Sequence, residues 1–231
     1  CLVLPTWNHL WFLPYLWAYT VLTCGILKVW PAGLQWTSRL FENALHGIWL
    51  FFIPILFIAC ARLVLVEQFP STHALLGDWF NHIIYAGMFT CGAVFATSPV
   101  FWNRLACARW PALGTALAFW VLLVLVNPAI PFLHGVVAVY QWTALVAAIG
   151  FAKVHLDRDG PLRRRLMQAV FPVYILHQTV IVVGSQVLLL FHWRPVVEGP
   201  IMILLTFTVS YVGYALLRRF ECVRPWLGLK R

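Results

Sequence analysis

The residues best placed to do chemistry lie in the run RRRLMQAVFPVYILHQTVIVVGSQVLLLF, Arg163 to Phe191. From Leu166 onward it holds no Asp, Glu, Lys or Arg, yet it contains an imidazole, His177, next to a carboxamide, Gln178, one turn after the phenol of Tyr174. An imidazole in so apolar a segment costs free energy to desolvate, and near neutral pH it can serve as acid, base or hydrogen-bond donor. The competing reading is a satisfied hydrogen bond between helices. Gln178 and Ser185 extend a polar stripe beside Tyr174 at helical spacing, which points to a wet cavity. Pro172 removes a backbone donor, so a kink or restart is expected there. Three arginines, Arg163, Arg164 and Arg165, mark the entrance.

A second set of groups lies elsewhere. Trp7, Trp11, Tyr15 and Tyr19 recur every four residues, a helical stripe that either stacks on a sugar or packs on a neighbouring helix, and packing is the favoured reading. His9 sits at the mouth of the same helix. Glu67, His73 and Asp78 share a loop whose spacing matches no zinc pattern, so a solvated loop and no metal are expected. His46, His82 and His134 read as structural. The six cysteines show no paired spacing and read as small core residues.

These residues must be positioned by membrane helices. With 62% hydrophobic and 10% charged residues in 231, no soluble core could hide the apolar surface, so lipid is the solvent. Windows free of charge run His9–Leu27, Ala44–Ala61, Trp79–Thr97, Trp110–Asn127, Phe132–Ala152, Leu166–Phe191 and Gly199–Leu217, each long enough to span. The expected fold is an all-α bundle of about seven transmembrane helices forming a single domain over residues 1–231. The turn at NPAIP, after Asn127, could also be a re-entrant bend.

Of the 16 Lys and Arg residues, all but Arg62 and Arg194 fall on one side of these windows. By the positive-inside rule that side is cytoplasmic, which puts Cys1 outside and the C-terminus inside. The net charge of +9 is then chiefly a topology signal. The sharper reading is that Lys153, Arg158 and Arg163 to Arg165, facing Arg218 and Arg219, grip the phosphates of an acyl-CoA or of lipid head groups. Nucleic acid is not expected as a partner. Because the chain opens at Cys1 without a Met or a basic n-region, part of the protein is expected to lie upstream.

The stretch FPVYILHQTVIVV resembles the penultimate-helix signature of the acyltransferase-3 family of integral-membrane O-acyltransferases, in the branch similar to the glucan-biosynthesis C protein. NHLWFLPYLWAY, DWFNHIIYAGMFTCGAVFATSPVFW and RPWLGLK resemble three further stretches of that family. The resemblance implies a ten-helix domain in the cytoplasmic membrane of a bacterium. Its function would be to move an acetyl or succinyl group from a cytosolic acyl-CoA-type donor to a sugar hydroxyl of an envelope or extracellular glycan, with no bound cofactor. The family's essential histidine and arginine motifs lie in helices that precede those seen here. The matched residues are His9, Trp11 and Tyr174 for acceptor binding, and His177 with Gln178 for orienting substrates or stabilising the oxyanion. Arg163, Arg164 and Arg165 would hold the donor phosphates.

Two other classes remain open at this stage. A bundle with buried histidines and proline-broken helices could move a proton-coupled solute or flip a lipid, although no Asp or Glu falls within a window. A non-catalytic membrane binding protein, such as a heptahelical receptor or scaffold, is the other, although no window holds a lysine for a retinal Schiff base.

Overall fold

Proline sets where several helices begin. Pro99, Pro161 and Pro195 each occupy the first helical turn, where the missing N–H breaks no bond. Before Pro99, the Ser98 hydroxyl accepts the Phe101 N–H at 3.2 Å and caps its helix. The computed structural model describes residues 10–96, 98–126, 133–222 and 224. Among them it is all-α, with eight helices: α1 (Phe12–Val29), α2 (Gly33–Ala44), α3 (Trp49–Leu65), α4 (Trp79–Phe95), α5 (Pro99–Leu125), α6 (Leu133–His155), α7 (Pro161–Leu189) and α8 (Pro195–Leu217).

Each of the seven apolar windows coincides with a helix. Helices α1, α5, α6, α7 and α8 are long and apolar enough to cross a membrane, and α2 with α3 would make a sixth span, bent by 108° at the break between them. Helices α3 and α4 have 17 residues each. At 1.5 Å per residue that is about 26 Å, shorter than the ~30 Å hydrocarbon core. Many outward side chains are large and apolar, among them Leu56, Val124, Leu204 and Phe207, as lipid contact requires. The NPAIP turn lies outside the described residues. Of the kink or restart expected at Pro172, the restart does not occur, since α7 runs unbroken through it, and the interval around Arg39, between two of the windows, forms α2.

The chain divides into two compact units, 1–157 and 158–231. In the first, α5 and α6 pack most extensively, and α3 lies against α6. Leu45, Leu50, Ile58, Phe101, Ala112 and Trp142 belong to its buried core. A buried bond organises the α3–α6 contact. Pro54 has no N–H, so the carbonyl of Leu50, four residues earlier, lacks its helical donor. The indole N–H of Trp142 supplies one at 2.8 Å. Trp142→Phe should therefore lower stability by about 2 kcal/mol, read as thermal unfolding in detergent. In a Pro54→Ala background, where the helix can satisfy Leu50 itself, the same change should cost clearly less.

The second unit is a hairpin of α7 and α8. Gly184 on α7 faces Met202 and Leu205, and Gly213 on α8 faces Leu176, which sets the two helices antiparallel at close range. Thr206, Ser210 and Tyr214, four residues apart on α8, are buried along this seam.

Candidate functional site

In the α7–α8 unit, Tyr174 and His177 line one groove with Val170, Val173 and Ile181 of α7 and Met202, Ile203, Thr206 and Phe207 of α8. Its walls are mainly hydrocarbon, and its polar groups are a phenol, an imidazole and a hydroxyl. The two rings of Tyr174 and His177 are 5.2 Å apart, centroid to centroid. His177 Nδ1 lies against the backbone carbonyl of Tyr174. A carbonyl can only accept, so Nδ1 carries the proton, and the neutral ring has its lone pair on Nε2. That tautomer suits a group that receives a proton or orients a hydroxyl. The Thr206 Oγ1 is buried and has no partner among the described residues.

The sequence stripe is only partly assembled. Gln178 is half-buried and is not part of the groove wall, while the Ser185 hydroxyl donates to the Val182 carbonyl at 2.9 Å within its own helix. Arg163, Arg164 and Arg165 are exposed in the first turns of α7, where the helix dipole disfavours cations. Arg163 and Arg164 reach Asp159 at 4.0 and 3.8 Å, an acid just ahead of the helix. His9 lies outside the described residues, as does Trp7.

In the first unit, the aromatic stripe of α1 packs on α4 and the loop before it. The Tyr15 hydroxyl donates to Asp78 Oδ2 at 2.6 Å, and the same oxygen accepts from Asn81 Nδ2 at 2.8 Å and the His73 amide at 3.1 Å. Asp78, at the N-terminal end of α4, is fully buried. The expectation that Asp78 sits in a solvated loop is thus wrong, because three donors converge on it and take the place of water. Its other oxygen, Oδ1, is buried without a partner among the described residues.

His82 completes the fastening. Its Nε2 meets the Leu75 carbonyl at 2.7 Å and its Nδ1 the Tyr19 hydroxyl at 2.9 Å. The carbonyl fixes the proton on Nε2, so Tyr19 donates to Nδ1. Both ring nitrogens are thereby committed, and His82 is a structural staple, as its sequence context suggested. His73, at a positive φ of 57°, is held in that uncommon conformation by its amide bond to Asp78 and by the Trp11 ring 4.3 Å away. Trp11 also lies 5.4 Å from Tyr85. Trp11 and His73 are half-buried at the edge of this cluster, and Trp79, its ring 5.9 Å from that of His82, is exposed.

Sequence reading missed Asn81, Tyr85 and Thr206. Asn81 and Tyr85 follow Asp78 at i+3 and i+7, a helical spacing that could have revealed them once α4 was placed. Thr206 offers no comparable signal. Comparison with protein-family models, with curated proteins and with solved structures finds no match to this chain.

Proposed function

We propose that the protein is an integral-membrane O-acyltransferase that moves an acetyl or succinyl group from an acyl-CoA-type donor to a sugar hydroxyl of an envelope or extracellular glycan. In this reading the chain contributes seven spans in the cytoplasmic membrane of a bacterium, with Cys1 outside and the C-terminus inside. The observation that carries the proposal is the groove in which Tyr174, His177 and Thr206 meet, within the stretch whose sequence resembles the acyltransferase signature.

The reaction forms a C–O bond between the sugar oxygen and the acyl carbon and breaks the C–S bond of the thioester. The hydroxyl proton ends on the departing thiol. With its lone pair on Nε2, His177 is suited to accept a hydrogen bond from the attacking hydroxyl and orient it. Oxyanion stabilisation asks instead for a donor, a role that fits the buried Thr206 hydroxyl in the groove. Tyr174, with its aromatic face in the groove, suits the acceptor sugar, and Arg163 to Arg165 suit the donor phosphates.

The test is acyl transfer from radiolabelled acyl-CoA in membranes containing the full-length protein. His177→Ala should lower the rate at least ~100-fold, whereas Ser185→Ala, whose hydroxyl is bonded within its own helix, should leave it unchanged. Wild-type transfer by His177→Ala would remove His177 from the mechanism.

A further inference from the structure

We propose that α2 lies in the plane of the bilayer surface and binds the phosphate groups of anionic phospholipids through Arg39 and the neighbouring Lys28. This inference rests on the membrane location of the chain and not on the acyltransferase reading. Twelve residues make a helix about 18 Å long, too short to span. The bend between α2 and α3 is 108°. With α3 along the membrane normal, α2 runs within about 20° of the membrane plane, well inside the range of helix tilts.

The faces of α2 divide into three sectors. Leu34, Ser38 and Phe41, followed by Leu45, point into the unit and are buried or half-buried. Arg104 of α5 fixes the end of the helix by donating to the Glu42 and Leu45 carbonyls, the latter at 3.0 Å, so this face is clamped. On one outer flank, Trp36 and Leu40 are exposed, and the Trp30 ring lies 5.5 Å from that of Trp36. On the other flank are Gln35 and Arg39, also exposed, while the exposed Asn43, two turns after Trp36, lies between the flanks.

An apolar flank beside a polar flank that carries Arg39 matches a bilayer surface, which presents both environments a few ångströms apart. Indole and leucine enter the acyl boundary while a guanidinium reaches the phosphate level. Lys28, in the last turn of α1, is exposed at the same end. Among the described residues neither Lys28 nor Arg39 meets a carboxylate, so both charges face outward to an anion.

The experiment uses the full-length protein in phosphatidylcholine vesicles with and without phosphatidylglycerol. Nitroxide labels are placed one at a time, through cysteine, at Gln35, Trp36, Leu40 and Asn43. Labels at 36 and 40 should be oxygen-accessible about 5–10 Å below the phosphates, with 35 at or above them and 43 at a depth between 35 and 40. A depth that increases steadily from 35 to 43 would identify a re-entrant helix and overturn the proposal, as would water accessibility at all four. For the headgroup, enrichment of phosphatidylglycerol around the purified protein should fall about fivefold per charge in Lys28→Gln and Arg39→Gln. Unchanged enrichment in both would overturn the anionic-lipid assignment.

Discussion

Gly150→Leu should yield no monodisperse folded protein, and Gly150→Ala should lower stability by about 3 kcal/mol, the upper range for overpacking. A β-carbon at this position on α6 would sit 2.5 Å from the Leu105 carbonyl oxygen and 2.8 Å from the Arg109 Cβ of α5. The first of these is backbone inside a helix, so it cannot swing aside as a side chain would. Relief requires separating α5 from α6, the most extensively packed pair in the first unit, whose seam includes Ala112 and Ala147, both buried. Small residues at such a seam let helix backbones approach closely enough for dispersion to hold them where lipid supplies no hydrophobic drive. Gly114 is the control: an added β-carbon there meets nothing within 4 Å. Gly114→Ala should be neutral or stabilising by up to ~1 kcal/mol. Thermal unfolding in detergent reads both, and a Gly150→Ala protein that unfolds at the wild-type temperature would refute the close-packed seam.

Asp78→Ala should cost about 3 kcal/mol and release the segment from Ser71 to Asp78. The substitution removes the common acceptor of the Tyr15 hydroxyl, the Asn81 amide and the His73 N–H, of which the first two keep the Ala74 carbonyl at 3.1 Å and the Ser71 hydroxyl at 2.5 Å. A donor that loses its acceptor costs roughly 1–3 kcal/mol, and the second acceptors of Tyr15 and Asn81 keep the sum well below the additive value. His73 would then lose what holds its positive φ. Asp78→Asn keeps an acceptor oxygen where Oδ2 stands and places its amide at the Oδ1 position, so about 1 kcal/mol is expected. Hydrogen exchange checks the local part of this prediction: the His73 amide should lose protection in Asp78→Ala and keep most of it in Asp78→Asn. Equal protection in both would show that the carboxylate does not anchor the loop.

The apolar windows were legible because a helix among lipids must be uncharged along its length, and such runs can be read one residue at a time. Helix α2 escaped that reading for the same reason. Arg39 and Glu42 interrupt the apolar run, and its signal lies in the spacing of Leu34, Phe41 and Leu45 rather than in absence of charge. The burial of Asp78 was not legible, since it depends on Tyr15, 63 residues away in sequence. Pro54 announces an unmet carbonyl at Leu50, but nothing in the sequence names Trp142 as the donor that answers it. At α7, spacing placed Tyr174 and His177 together correctly. It also grouped Gln178 and Ser185 with them, although Gln178 turns from the groove wall and Ser185 bonds to its own helix.

The proposed acyl transfer is measured most directly in proteoliposomes of the full-length protein. Acyl-CoA labelled in its acyl group is supplied on the face bearing Arg163 to Arg165, and a glycan acceptor on the other. Ester-linked label is expected on the glycan, with one CoA thiol released for each ester formed. Labelled solute that crosses unmodified, with no thiol released, would contradict acyl transfer and assign the bundle to transport.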